Sequence, residues 1–321
     1  MPATDLSLTL ATRDYDFVGP LATGDVVPDG IALRLVRAFD ALERVVADPA
    51  IQGGEASFSQ YVRRIAAGDR AWVGLPLFVM REFRHRCFVV RRGSGLADVA
   101  DLAGQRVGTD TWGASGNTWS RAILRERGIP LDRVRWVVGP VNPGEPVPAQ
   151  VPLPPGVTQA PAGRSLRALL LDDEIDAVMS PRPPEGFDAP DSPMVRLYED
   201  YRSVEREYYR RTGLYPAHHL VVLKRELVDA HPWVVAPLYA TFRAARARSE
   251  ANHRVLHESS PWLLADLEEQ ARLMGPGYQA DGARENRAMI AAFCAEQHAQ
   301  GLVSAPIEPD ALFAEFERLA R

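Results

Sequence analysis

Ala71-Trp72-Val73-Gly74-Leu75-Pro76-Leu77-Phe78-Val79 is followed, one residue on, by Arg81-Glu82-Phe83-Arg84-His85 and then by Cys87-Phe88-Val89-Val90. The two outer runs are short, apolar and uninterrupted by charge, and each reads as a buried strand. The segment between them carries two guanidinium groups and an imidazole at the exit of a core strand. Burying these is costly unless an anion meets them. Arginine grips carboxylate or phosphate in bidentate fashion, and histidine exchanges protons near neutral pH. The alternative is a solvated surface loop in which Glu82 pairs locally. These five residues alone do not choose between the two.

Working outward, residues 6–11 and 31–37 read as strands, and residues 39–48 as a helix. Gly53-Gly54-Glu55-Ala56-Ser57 is expected to open a helix over 58–67, with Ser57 as N-cap. After the central stretch come a short helix, a turn and a strand within residues 96–109. Trp112-Gly113-Ala114-Ser115-Gly116-Asn117-Thr118 then leads into a helix over 119–127. Glycine and hydroxyl residues such as Ser115 and Thr118 at a helix N-terminus make an anion site, or simply a well-capped helix. Residues 134–138 and 175–180 are strands, and Arg182 leaves the second of these between prolines that fix its backbone. Residues 201–211 are helical, 217–224 form a strand, and the chain from 232 onward is helical.

This alternation predicts an α/β protein. Its order suggests two lobes joined by crossing strands, with a cleft where strand ends and helix N-termini converge. Residues 1–91 and 217–321 are assigned to one lobe and 92–216 to the other. A length of 321 residues is enough for two such units. With 37 basic against 42 acidic residues, the balance does not favour a nucleic-acid partner. No apolar run reaches membrane-spanning length. Nothing near Met1 has the pattern of a signal peptide, so a cytoplasmic location is expected. Cys87 and Cys294 are the only cysteines and read as buried small hydrophobes rather than a disulfide or metal framework.

Several spaced motifs carry a name. They are Asp14-Tyr15-Asp16 after the first strand, Glu55-x-Ser57-x-Ser59-x-Tyr61, and Pro76-x-Phe78 leading to Arg81-x-Phe83-Arg84-His85. They continue through Asp101-Leu102-Ala103-Gly104-x-Arg106-Val107-Gly108, Ser180-x-Arg182-x-Pro184 and Tyr209-x-x-Thr212-Gly213-x-Tyr215-Pro216-x-x-His219. In this order they resemble the 4,5-dihydroxyphthalate decarboxylase family, itself similar to type II periplasmic binding proteins. The resemblance implies a two-lobed type II periplasmic-binding-protein-like α/β fold with a central cleft and C-terminal helices. Two features depart from the family: the glycine-rich loop at 112–116, and Arg13 where the family has glycine. An extra arginine there is compatible with a different anionic substrate.

The resemblance also implies a reaction, decarboxylation of an ortho-dicarboxylated catechol to protocatechuate without redox. That chemistry needs cations on the carboxylates, an acid over the ring face and a water-poor site. Arg81 and Arg84 are expected to hold carboxylates and His85 to donate the proton, with His219 as the rival acid. Strand alternation would put residues 81, 83 and 85 on one face and Arg84 on the other. His218 and His219 must also face opposite ways, and the motif selects His219. Glu55, Ser57, Ser59 and Tyr61 are candidates for the catechol hydroxyls, although Ser57 serves equally as a cap. Arg13, Asp14, Ser115, Thr118 and Arg182 complete the expected binding set.

No cofactor is expected: there is no nucleotide-binding glycine motif and no hydrolase elbow. His253-x-x-x-His257 has metal-ligand spacing but no third ligand, so no metal is expected. The expected partner is a small aromatic carboxylate, without nucleic acid or membrane, and homo-oligomerisation stays open. From another class, the same arginines would serve a solute-binding or sensing protein that closes over a small anionic aromatic ligand.

Overall fold

The computed structural model describes residues 5–320 except 148, 257 and 259. In chain order the strands are β1 (Leu6–Thr12), β2 (Ile31–Arg37), β3 (Gly53–Ser57), β4 (Trp72–Arg81), β5 (Phe88–Arg91), β6 (Arg106–Thr109), β7 (Arg135–Val138), β8 (Thr158–Gln159), β9 (Ala177–Met179), β10 (Met194–Arg196) and β11 (Ala217–Lys224). The helices are α1 (Gly19–Ala22), α2 (Ala41–Ala47), α3 (Phe58–Ala66), α4 (Ser115–Glu126), α5 (Leu166–Leu171), α6 (Tyr201–Thr212), α7 (Arg225–Ala230), α8 (Val235–Leu256), α9 (Leu263–Met274), α10 (Arg287–Ala299) and α11 (Pro309–Leu319). Among the described residues no helix is long and apolar enough to cross a membrane.

The chain forms two compact units. The first comprises Met1–Arg81, Ala217–Cys294 and Ile307–Arg321, and the second Glu82–Pro216 and Ala295–Pro306. The first boundary therefore falls ten residues before the expected one, because β5 pairs antiparallel with β9 and β10 in the second unit's sheet. The short segment 295–306 also joins the second unit. There Gln300 Nε2 donates to the Thr118 carbonyl at 2.9 Å, and its Oε1 accepts from Arg121 Nε at 2.8 Å.

The first unit holds a five-stranded sheet in the order β2-β1-β3-β11-β4. β1 runs parallel to β2 and β3, whereas β11 runs antiparallel to β3 and β4. The segment 53–57 is thus a strand in the middle of the sheet, not the opening of a helix. Its glycines explain the difference. Gly54 has φ +138°, and a Cβ there would sit 1.9 Å from the Ala11 carbonyl oxygen, so only glycine lets β3 approach β1 this closely. Helix α3 then starts where Ser57 accepts from the Gln60 amide, as its expected cap role requires.

β4 lies at the edge of the sheet, where Pro76 is tolerated because a ladder hydrogen bond is not needed there. Its register against β11 shifts between His219 and Val221. The backbone freed by that irregularity is taken up locally: Gly282 donates to the Pro76 carbonyl at 2.8 Å, and Phe78 donates to Asp281 at 3.1 Å. Arg246 in turn pairs with Asp281 at 3.0 Å. A buried edge without such partners would leave unsatisfied amides.

The second unit holds a six-stranded sheet in the order β10-β5-β9-β6-β7-β8. Its central strands are covered on both faces, which is why β5 and β9 read as continuous apolar runs. Phe88, Val90, Ala177 and Met179 face a core with Val107, Trp112, Leu124 and Trp136. Val89 and Val178 face the opposite core with Leu166, Leu169 and Ile175. Between β4 and β5 the chain is not extended as expected. Residues His85–Cys87 form a single 3-10 turn, so strand alternation does not apply and Arg84 and His85 are both 3% exposed.

Candidate functional site

In the first unit the chemistry gathers on Glu55. β3 delivers this carboxylate to a position that is fully buried, and β11 delivers His219 beside it. His219 lies opposite Ser57, one diagonal step from Glu55, so both side chains share a sheet face. His219 Nδ1 is 2.5 Å from Glu55 Oε1. The same oxygen accepts the Tyr15 hydroxyl at 2.6 Å, while Oε2 accepts the Arg13 amide at 2.7 Å. Burial pushes the Glu55 carboxyl up, but the hydrogen bonds and charge of His219, the Tyr15 hydroxyl and the Arg13 amide outweigh it and hold the group below its ordinary value. An ionised carboxylate only accepts, so the contact places a proton on His219 Nδ1. Burial and the Glu55 charge drive the Tyr15 hydroxyl up, keeping it a neutral donor.

The arrangement is a buried carboxylate orienting a histidine whose side chain keeps 12% of its exposure while Glu55 keeps none. Such a pair stabilises an imidazolium. His218, next along β11, is buried on the other face, as alternation demands.

Other expected residues of this unit fall into two groups. Arg13 borders the dyad: its Nε donates to the Phe39 carbonyl at 3.2 Å, lies 3.9 Å from Glu55 Oε1, and the guanidinium sits over the Phe39 ring. Asp14 is exposed and pairs with Arg37 at 3.0 Å. Tyr61, expected to meet a catechol, is instead buried. Its hydroxyl donates to the Leu312 carbonyl at 2.6 Å and accepts from the Gly74 amide at 3.2 Å, tying α3 to α11 and β4. Ser57 caps α3, and Ser59 is fully buried. Arg81 donates to Asn286 Oδ1 at 2.7 Å and to the Ala280 carbonyl at 3.1 Å, so its guanidinium anchors the segment before α10.

In the second unit Arg84 lies 3.3 Å from Glu82 Oε2 and packs flat on the first turn of α4. A Cβ on Gly116 would fall 2.7 Å from the guanidinium, which gives that glycine a packing reason. Ser115 is buried as the first residue of α4. Thr118 is absorbed by structure: its hydroxyl donates to the Ala114 carbonyl at 3.1 Å and accepts from Gln297 at 3.2 Å. Arg182 is exposed beyond the end of β9. His85 sits against the rings of Tyr208 and Tyr198, with centroids 5.1 and 6.1 Å away. Burial first, then the Arg211 charge, lowers it to about 4. It is therefore neutral at neutral pH and has no proton to give as an imidazolium.

Two residues escaped sequence reasoning. Tyr15 lies within Asp14-Tyr15-Asp16, where nothing local gives it a role, and only its approach to Glu55 from forty positions away reveals one. Asp110 follows β6 at the same sheet end as Arg182. It accepts from Asn117 Nδ2 at 2.6 Å and from the Thr111 amide at 2.8 Å. Burial keeps it above the ordinary carboxylate range despite those bonds and the Arg182 charge. The available signal was its place directly after a buried strand and before a glycine-rich loop. His253 Nε2 lies 3.1 Å from Asp16, and His257 lies outside the described residues. Among the described residues no group of three or more His, Cys, Asp or Glu is placed to hold a metal ion.

Comparison with known proteins adds sequence relatives. No family profile matches the chain. It is 33% identical over 319 residues to a 4,5-dihydroxyphthalate decarboxylase of Comamonas testosteroni, covering 96% of each chain. It is 30% identical over 211 residues to the protein of that name from Pseudomonas putida, covering 64% of this chain and 82% of the relative. Among solved structures, the Candida albicans CA3427 gene product, described as having the generic periplasmic binding protein fold, aligns with a TM-score of 0.50 at 10% identity, over 98% of this chain and 94% of that one. The Escherichia coli aliphatic sulphonate binding protein SsuA aligns with a TM-score of 0.48 at 15% identity, over 97% and 92%. The chain thus has the periplasmic-binding-protein fold.

Proposed function

Because the chain belongs to the 4,5-dihydroxyphthalate decarboxylase family, we propose that it converts 4,5-dihydroxyphthalate to protocatechuate and CO2, with the Glu55–His219 pair supplying the proton. The single observation that supports this assignment is the 2.5 Å contact between a fully buried carboxylate and the more accessible His219. In this reading His219 starts as an imidazolium stabilised by Glu55. Its Nε2 proton goes to the ring carbon bearing the departing carboxylate, the para hydroxyl lends electron density, and the C–C bond breaks with its electron pair restoring the aromatic ring. One proton is consumed and one CO2 released, so atoms and charge balance without an oxidant. Solvent then reprotonates His219.

Arg13, beside the dyad, is proposed to hold a substrate carboxylate, and Arg182 with the Asp110 loop is the second unit's own candidate for an anion contact. The histidine expected at first, His85, is the poorer acid because it is neutral at neutral pH. The proposal is tested by CO2 release from 4,5-dihydroxyphthalate by purified, chelator-treated protein. His219→Gln is expected to lower kcat/KM by about 100-fold or more, the usual worth of a general acid, and His85→Ala by less than about ten-fold. Loss of turnover in His85→Ala with survival in His219→Gln would reverse the assignment. Binding of aromatic dicarboxylates without any CO2 would point instead to a solute-binding or sensing role.

A further inference from the structure

The hydroxyl that Tyr15 donates to Glu55 hangs from irregular backbone. Tyr15 follows β1 and precedes the 3-10 turn Asp16–Val18, so it lies outside the ladders that fix β1 against β2 and β3. Its ring is aligned by a neighbour instead. Phe17 stacks on it with centroids 5.4 Å apart and planes within 7° of parallel. The χ2 well of a tyrosine is broad, so the packing partner decides the ring plane. A phenol keeps its O–H near that plane, and the plane therefore decides where the hydrogen points.

Phe17 is itself held. It is buried, and the Arg246 guanidinium of α8 lies over its ring, 4.3 Å from the centroid. Arg246 is fixed in turn by three donations: Nε to Asp281 at 3.0 Å, Nη1 to Gln279 Oε1 at 3.2 Å and Nη2 to the Phe78 carbonyl at 3.2 Å. His253 lies on the same face of α8 by its i, i+7 spacing from Arg246. Its Nε2 is 3.1 Å from Asp16, whose other carboxylate oxygen accepts the Phe17 amide at 2.7 Å. α8 thus meets both residues that follow Tyr15.

We propose that Phe17 and Arg246 are positioning residues for the Glu55–His219 pair. The guanidinium holds the Phe17 ring, the ring aligns Tyr15, and the Tyr15 hydroxyl keeps Glu55 Oε1 in place for His219 Nδ1. The inference rests on the reading of that pair as the proton source. Replacing a buried ion pair by apolar residues is often neutral for stability, so what the Arg246–Asp281 pair adds here is a fixed direction for the guanidinium. Both residues act through the Tyr15 hydroxyl, so each matters to turnover only while that hydroxyl is present.

The test is a double-mutant cycle on the full chain, with CO2 release from 4,5-dihydroxyphthalate and urea unfolding as its two readouts. Phe17→Leu keeps an apolar side chain and removes the flat face. It is expected to lower kcat by about five-fold with KM nearly unchanged, and by less than about two-fold when Tyr15→Phe is already present. A merely structural defect would lower activity by the same factor in both backgrounds. Since Phe17 is buried and its variant can misfold, Arg246→Lys carries the same cycle: it leaves a cation beside Asp281 and takes the flat group from Phe17. In unfolding, the loss of stability caused by Tyr15→Phe should shrink when Phe17→Leu is present. The proposal is overturned if the kinetic effects of the two substitutions simply multiply, or if Phe17→Leu and Arg246→Lys both fold and leave kcat unchanged. No CO2 from the wild-type protein, with the coupling still seen in unfolding, would overturn the decarboxylation reading and leave the hold on Tyr15 standing.

Discussion

Glu55 receives more hydrogen bonds than any role in substrate contact would need, and each of them shapes what His219 can do. Tyr15 and His219 share one oxygen of that carboxylate. Removing the tyrosine hydroxyl takes one hydrogen bond from the carboxylate that orients His219. Tyr15→Phe is expected to lower kcat/KM by about ten-fold, the worth of one hydrogen bond to a charged group, as steady-state kinetics would show. A tyrosine that only packs would lower stability and leave kcat/KM unmoved. Tyr61 makes the opposite case. With its hydroxyl spent on Leu312 and Gly74, Tyr61→Phe should lower stability by about 1 kcal/mol and leave KM for the substrate unchanged, as urea unfolding and steady-state kinetics would show.

Among the elements, β3 and α4 are the two on which the candidate sites depend. β3 sits between β1 and β11 only because position 54 lacks a Cβ, which would otherwise meet backbone 1.9 Å away. Neither strand can yield without breaking its ladder, so Gly54→Ala should destabilise by at least about 3 kcal/mol or prevent folding. At the start of α4 the obstacle is different, a side chain rather than backbone. Gly116→Ala should cost about 1–3 kcal/mol, since Arg84 is buried but can shift. Thermal unfolding of the two variants side by side checks both. These elements also mark how far local patterning carries. The apolar runs of β4, β5 and β11 are visible as strands, and Ser57 as a cap, because those signals are local. The pair Gly53-Gly54 reads as a helix lead-in because nothing within five residues reveals the two strands that crowd it. The turn at 85–87 was hidden for the same reason: a pentapeptide rich in charge gives no sign that it will be buried.

Over the whole molecule, two buried titrating groups of the second unit set opposing pH trends. His85 titrates at about 4 in the folded protein against 6.5 when unfolded. Between those values the unfolded chain holds the extra proton, so stability falls as pH drops from 6.5 towards 4, by up to about 3 kcal/mol. Glu205 is raised by burial from 4.5 to about 7, against the pull of Arg86, Arg196 and Arg84. Between those values the folded chain holds the extra proton, so this group makes stability fall as pH rises. The wild-type profile should therefore be flatter than either single variant's. His85→Gln should become relatively more stable than wild type at pH 5 than at pH 7, and Glu205→Gln the reverse, as urea midpoints across that range would show.

Most of the elements, the α/β class and the family are legible in the residues alone, together with the residue types that carry the chemistry. Periodicity, caps and ordered motifs are local or near-local quantities, and they survive without knowledge of the fold. Which of those residues stand together is set by the folded chain. Glu55 and His219 are 164 positions apart and meet because two strands pair antiparallel. Tyr61, Thr118 and Arg81 looked equally chemical and are spent on distant backbone and amide partners. Charge state follows the same division: a histidine is written in the sequence, but whether it holds a proton depends on the water removed from around it and the charges brought near, which no local pattern encodes.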